Sequence, residues 1–448
     1  MERLSIFIGK SVQKITHLRG GGGSALPGLV IERIDPKFIN KILSKLPHGV
    51  VVISGTNGKT TTTKVVSELL EKQGLKVFTN NTGSNFVRGV ISAILQDIKL
   101  NGKFNYDIAV LELDEAHAVK FTEVAPVDYA LLLNVQRDQL DRFGEIDHTA
   151  DLLQKVATAA KKTVVLNRED PRVGKIKAQH TEYFGLSDRL IKKFPSDDDL
   201  ITRKQTKSSD RAAKVVFQDL KDNRATYSVD KKDYTVNLKL KGMYNAYNVA
   251  GAIALCHCIL PDVKVKRFFD DIVDIESAFG RGESFVINGA EVELLLVKNP
   301  SAFQLSIASF ADNNCDFMIA INDRVADGCD ISWLWNVNFS QLKNIKMISG
   351  IRAYDMALRL KYDNIQVDDI VEDLPTAVQK FTASNKKHKR IFATYTAMLE
   401  IRKIISGKSI LWQSKSYISI QKKWIFMAIT VTYLLSNAVP NGAILTWK

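Results

Sequence analysis

Residues 48–64 read HGVVVISGTNGKTTTTK, an apolar run, then Gly55-Thr56-Asn57-Gly58-Lys59-Thr60-Thr61, then a helical pattern. A buried strand that delivers the chain to a glycine turn brings backbone N–H groups together on phosphate oxygens, and the helix that follows points its positive end at them. Lys59 adds a mobile positive charge, and the Thr60 hydroxyl is suited to complete a Mg²⁺ shell. Ile53 stands where the common GxxxxGK[ST] pattern has its first glycine, so this loop is the shorter G-T-N-G-K-T-T form. A loop of this kind requires a strand before it and a helix after it, which restricts the chain to an α/β nucleotide-binding fold.

The surrounding pattern agrees. VVVIS, a helix through Leu70, the strand KVFTN, a helix near 86–99, and the strands YDIAVLEL and VDYALLLNV follow in order. Strands that are apolar throughout, separated by amphipathic helices, predict a parallel sheet covered on both faces. Residues 186–235 are polar and then alternate (KVVFQDL, ATYSVD, YTVNLKL), which predicts a β-rich excursion at the domain edge. After a helix at 244–259 a second βα series is read from VELLLVKN, CDFMIAIND, IKMISG and a helix Tyr354–Lys361, with the boundary near residue 298. Arg19–Gly28 (RGGGGSALPG) is read as irregular, a flexible link rather than an anion-binding loop.

Several side chains fall where chemistry is expected. Glu112, Asp114 and Glu115 end the strand DIAVLEL, at the sheet edge that faces a ligand. Glu112 is the first candidate for holding Mg²⁺, while Asp114 and Glu115 read equally well as a helix start. Asn134, Asp138 and Asp141 form a polar cluster beyond the next strand, suited to a second metal ion or an attacking group. Asn245 and Asn248, three apart and so on one helix face, read as a cap or an adenine contact.

Composition narrows the alternatives. The 448 residues are 45% apolar and 25% charged, as in a globular chain of two or three domains. The net charge of +13 comes from scattered lysines with few aromatic partners, which argues a solvated surface with a bias toward an anionic substrate or membrane rather than nucleic acid. Cys256, Cys258, Cys315 and Cys329 lack CxxC spacing and are read as reduced thiols. Met1–Lys10 has no apolar core of signal-peptide length, and Trp424–Leu435 is apolar but interrupted before spanning length, so it reads as a buried or interfacial tail.

GTNGKTT, Glu112, the Asn134–Asp141 stretch, LKGMYNAYN and the Arg281 of GRGE together resemble the central domain of the Mur ligases, ATP-dependent amide-bond enzymes of peptidoglycan assembly. RGGGGSALPG, NVQRDQLDRFGE, VKNPSAF, INDRVADGCDISWLW and SGIRAYDMALRLKY are similar to the amidating synthetase subunits of that family, over residues 1 to 410. The resemblance implies an α/β fold: a Mur ligase-type P-loop central domain with a parallel sheet (45–298), and a smaller Rossmann-like C-terminal domain (299–410). An N-terminal segment (1–44) and an apolar tail (411–448) flank them.

It also implies a reaction. ATP and Mg²⁺ would activate the α-carboxylate of D-glutamate in the lipid II stem peptide as an acyl phosphate, which ammonia from a GatD-like glutamine amidotransferase subunit converts to D-isoglutamine. The expected location is the cytoplasm, at the inner face of the membrane. Asp355 matches the aspartate that completes the partner's triad; from the residues alone it reads as a helix-start acid. Arg281, Asn245 and Asn248 are implied nucleotide contacts, and Asp323, Asp327 and Asp330 are further substrate or supporting candidates. Two departures stand out. Most relatives carry a four-cysteine zinc ribbon, and 186–235 has no cysteine, so no structural zinc is expected. Cys329, Asn336 and Asn338 stand where Arg, Asp and Asp are expected, which removes charge-assisted hydrogen bonds. The competing readings are a stand-alone Mur-like amino-acid ligase, a P-loop switch, and a nucleotide-binding protein with a degenerate site.

Overall fold

The structure is a computed structural model that describes residues 2–18, 25–80, 85–137, 146–196, 199, 209–276, 281–311, 314–343, 345–383 and 388–406. Three helices, α1 (Glu2–Leu18), α2 (Ala25–Ile34) and α3 (Phe38–Leu43), precede the first strand. The expectation of an irregular Arg19–Gly28 is corrected at its end. Ala25-Leu26-Pro27-Gly28 opens α2, because proline in a first turn forfeits no helical hydrogen bond. Residues 19–24, and the apolar tail from 407 on, lie outside the described residues.

The nucleotide-type domain follows as β1 (Val50–Ser54), α4 (Lys59–Lys72), β2 (Val77–Thr79), α5 (Val87–Asp97), β3 (Ile108–Glu112), α6 (Glu115–Val124), β4 (Tyr129–Leu132), α7 (Ile146–Ala159), β5 (Val164–Asn167), β6 (Thr181–Leu186) and α8 (Asp188–Ile191). These strands pair in parallel in the order β2-β3-β1-β4-β5-β6. β1 alternates its side chains between two cores. Val51 and Ile53 pack with Val65 and Leu69 of α4 and with α9 (Met243–Ile259), while Val50 and Val52 pack with Phe38 of α3, Ile94 of α5 and Val156 of α7. Burial on both faces is why β1 is apolar up to Ser54, each buried Val or Ile side chain contributing about 1.5–3 kcal/mol.

The excursion forms β7 (Val215–Lys221), β8 (Arg224–Val229) and β9 (Lys232–Asn237), with β7 parallel to β6 and the rest antiparallel. Phe217, Tyr227 and Val229 turn their buried side chains onto α9 and α10 (Val265–Asp271).

A second sheet, ordered β10-β11-β15-β12-β13-β14, is built from β10 (Arg281–Ile287), β11 (Ala290–Leu296), α11 (Pro300–Phe310), β12 (Cys315–Ala320), β13 (Ile345–Ser349), α12 (Ala353–Tyr362), β14 (Val367–Val371), α13 (Leu374–Thr382), β15 (His388–Ala393) and α14 (Tyr395–Ser406). All its pairs are parallel except the β10–β11 hairpin. That hairpin brings chain into the second sheet from Arg281, ahead of residue 298. Its turn is Asn288-Gly289, with φ of 49° and 81°, a sequence signal for a tight hairpin that the strand reading passed over. Among the described residues no helix is long and apolar enough to cross a membrane.

Candidate active site

β1 lies between β3 and β4, so the chain leaves its C-terminal end where the connections diverge to either side of the sheet. A crevice forms at such a point. The loop there needs two glycines in left-handed backbone: Gly55 has φ 129° and Gly58 has φ 90°. Space is short as well, since a Cβ on Gly58 would sit 2.8 Å from the Asn248 amide.

Asn134, just past β4, braces the loop. Its Oδ1 accepts from the Asn57 N–H (2.8 Å), its Nδ2 donates to the Asn57 carbonyl (3.0 Å), and its own carbonyl accepts from the Thr56 N–H (2.9 Å). The side chain is therefore engaged with backbone instead of standing open to a second metal. Gln136 adds a contact to the Asn57 amide and accepts through its carbonyl from the Thr56 hydroxyl (3.2 Å). Asp138 and Asp141 lie outside the described residues.

Thr60 and Glu112, the two Mg²⁺ candidates, lie together, the Thr60 hydroxyl donating to Glu112 Oε1 (2.9 Å). Asn80 holds the Glu112 backbone through both its N–H (2.9 Å) and its carbonyl (2.7 Å). A hydroxyl and a carboxylate at the end of a parallel strand make a hard-oxygen pair that fits Mg²⁺. Lys59 is buried, donates to the Gly55 carbonyl (2.7 Å), and lies 3.1 Å from Asp114 and 4.0 Å from Glu115. Burial works to lower its pKa, but the Glu115, Asp114 and Glu112 carboxylates outweigh it and hold the ammonium charged. Asp114 takes the N-cap position of α6 yet makes no capping bond. Burial works to raise its pKa, and Lys59, with Lys298 and His117 behind it, brings it below the usual carboxylate range. The Thr61 hydroxyl is buried with no hydrogen-bond partner among the described residues.

The two asparagines of α9 divide. Asn245 is fully buried and its amide donates to the Lys241 carbonyl (2.7 Å), tying down the helix start. Asn248 faces Gly58 and lines a cleft together with Asn134, Asp170, Tyr247 and Lys298. The side chain of Arg281 lies outside the described residues.

The spacing of motifs missed what comes from the second sheet. Lys298 donates to the Thr56 carbonyl (3.1 Å), and Asn299 exchanges amide hydrogen bonds of 3.2 Å with Asn57 while capping α11 through the Ala302 N–H (2.9 Å). The pattern Asn-Pro at the head of an apolar helix is a cap signal that marks Asn299; nothing local marks its contact with a loop far back in the chain.

Asp355 is not part of this cluster. It sits in the first turn of α12, about half exposed, 3.6 Å from Arg352, which is held by Asp323 (2.6 Å). Around it Tyr354, Leu358 and Tyr362 recur every fourth residue and are exposed by 50–69%, beside the exposed Ile351 and Trp335. Asp327 instead accepts from the Thr396 N–H (2.7 Å), tying its loop to the head of α14 (Tyr395–Ser406), and Asp330 accepts from the Ser332 N–H (2.8 Å) within a local turn. The altered loop is held from another side. Arg359 donates to the carbonyls of Leu334 (3.1 Å) and Val337 (2.8 Å) and pairs with Asp363 (2.7 Å). Cys329 is exposed, and Asn338 caps the turn at Ser340 (2.9 Å).

Known proteins resemble this chain in sequence and fold. The Mur ligase middle domain matches residues 53–256 and the MurT ligase C-terminal domain residues 296–398. The chain is 29% identical over 453 residues to the lipid II isoglutaminyl synthase (glutamine-hydrolyzing) subunit MurT of Streptococcus pneumoniae, covering 91% of this chain and 97% of that protein. The protein of the same description from Staphylococcus aureus is 26% identical over 420 residues, with 86% and 92% covered. Among solved structures, the MurF ligase of Thermotoga maritima in complex with ADP superposes with a TM-score of 0.64 at 18% identity, covering 84% of each chain. A pseudomurein peptide ligase type C from Methanothermus fervidus gives the same score and identity, covering 85% of this chain and 84% of that one.

Proposed function

The chain belongs to the Mur ligase family, an ATP-dependent ligase with a MurT-type C-terminal domain, and from that premise we propose that it amidates the D-glutamate α-carboxylate of the lipid II stem peptide. The observation that carries the reading is the joining of Lys59, Thr60 and Glu112 with Lys298 and Asn299 around one glycine loop. Phosphate-binding and second-domain groups meet there, as a ligase that brings nucleotide and acceptor together requires.

A carboxylate resists attack because its charge repels nucleophiles and its oxygen leaves badly. A carboxylate oxygen attacks the γ-phosphorus of ATP, ADP departs, and the acyl phosphate that results has a good leaving group. Ammonia then adds to the acyl carbon, the C–O bond to phosphate breaks, and a proton is lost to solvent. Loop N–H groups and the Lys59 ammonium stabilise charge moving toward the β-phosphate. Thr60 and Glu112 would hold Mg²⁺, which neutralises phosphate charge when bound.

We assign ammonia supply to a GatD-like glutaminase partner docked on α12, where Asp355 would orient the partner's imidazole. The exposed tyrosine and leucine stripe beside Asp355 supports this. We place the domain division between Ile275 and Arg281, and propose that the β7–β9 excursion is held by strand pairing without zinc.

Lys59→Ala tests the reading. ATP-dependent amidation of a lipid II-like acceptor should fall by at least about 100-fold, with the far-ultraviolet circular dichroism retained; unaltered turnover would remove the loop from the reaction.

A further inference from the structure

The two faces of α1 meet different surroundings. On the inner face Ile6 is fully buried, the Ser5 hydroxyl donates to Asp35 just past α2 (3.1 Å), and Lys10 donates to the Leu95 carbonyl in the last turn of α5 (2.7 Å). These contacts fix the helix to the nucleotide-type domain. On the outer face Leu4 and Phe7 are each 60% exposed and Ile15 is 50% exposed. At about 3.6 residues per turn these three share one side of the helix, and the exposed Arg3 and Lys14 run along its edge.

Single exposed apolar residues are common on any surface. Three in register on an anchored helix, with cations along one border, form the pattern of a helix that lies in a bilayer interface. Glu2 is the one acid in the α1 sequence and is neutralised by Lys45 (2.8 Å), so the outer face keeps its positive character.

We propose that the outer face of α1 docks on a bilayer surface carrying anionic lipid headgroups. Leu4, Phe7 and Ile15 enter the boundary between headgroups and acyl chains, and Arg3 and Lys14 meet the negative surface potential. The inference rests on the proposed lipid-linked acceptor and adds the surface by which the enzyme reaches it.

Flotation of the full-length chain with vesicles of phosphatidylglycerol and phosphatidylcholine, against phosphatidylcholine alone, tests the idea. The chain should float with the anionic vesicles and release as salt rises. Leu4→Gln/Phe7→Gln/Ile15→Gln should lose at least tenfold in partitioning with an unchanged melting temperature, and Arg3→Gln/Lys14→Gln should flatten the salt dependence. A chain that ignores anionic vesicles, or a triple variant that floats as the parent does, would overturn it. A water-soluble stem-peptide acceptor keeps the two readings apart: parent and triple variant should amidate it equally. Failure of both to do so would strike the amidation reading, with the vesicle result still deciding this one.

Discussion

Lys59 and Glu115 are buried beside the partly exposed Asp114, and on the proposed reading the lysine would exchange Asp114 for phosphate oxygens when nucleotide enters. Nearby, Asp170 is buried in the cleft wall and accepts from the backbone N–H groups of Val135 (2.9 Å), Arg172 (2.9 Å) and Val173 (2.8 Å). Burial outweighs those donors and pushes its carboxyl up to about 6. A folded-state value above the unfolded one means that the native protein binds the proton more tightly. The stability this confers is complete below about pH 4 and is lost as the pH rises through about 6, on the order of 3 kcal/mol in all. Urea unfolding between pH 4 and pH 7 should show that decline in the parent and a flatter profile in Asp170→Asn; parallel profiles would contradict it. At this scale the sequence was most readable where partners are local. Thr60 and Glu112 were paired in advance because a loop and a neighbouring strand end have few ways to meet. Asn134 was placed correctly beside the loop, but its brace to Asn57 depends on backbone geometry that spacing does not contain.

The elements follow the same division. β1, α4, β3 and β4 were legible because strands buried on both faces are apolar throughout and their helices show one apolar face. The β10–β11 hairpin was not, although Asn288-Gly289 announces it, because the strand reading began with VELLLVKN, the second strand of the hairpin. In the second domain, the loss of charge at Cys329, Asn336 and Asn338 put the nucleotide or interdomain contacts of their loop in question. The structure shows the loop tied instead through its backbone, Arg359 of α12 binding two of its carbonyls. The same helix carries Asp355 at its exposed start, with Arg352 within reach and Tyr354 and Leu358 beside it. If that surface serves a glutaminase, Asp355→Asn should reduce glutamine-driven amidation by at least about tenfold and leave reaction with free ammonium intact. Steady-state rates with both nitrogen sources check this, and an equal loss with each would remove Asp355 from the partner's chemistry.

Across the whole molecule, the glycine loop is completed by both sheets: Asn134 and Gln136 from the first, Lys298 and Asn299 from the second. On the proposed reading such a site would couple nucleotide binding to the arrangement of the second domain, and no local pattern could have revealed it. The claim on which the rest depends is that ATP turns an inert acid into an acyl phosphate. An acceptor whose glutamate carboxylate carries heavy oxygen tests that most directly, with ATP, Mg²⁺ and ammonium supplied and the released phosphate examined by mass spectrometry. The acyl phosphate route predicts one heavy oxygen in each phosphate released per amide formed. Amide formation with unlabelled phosphate would contradict it.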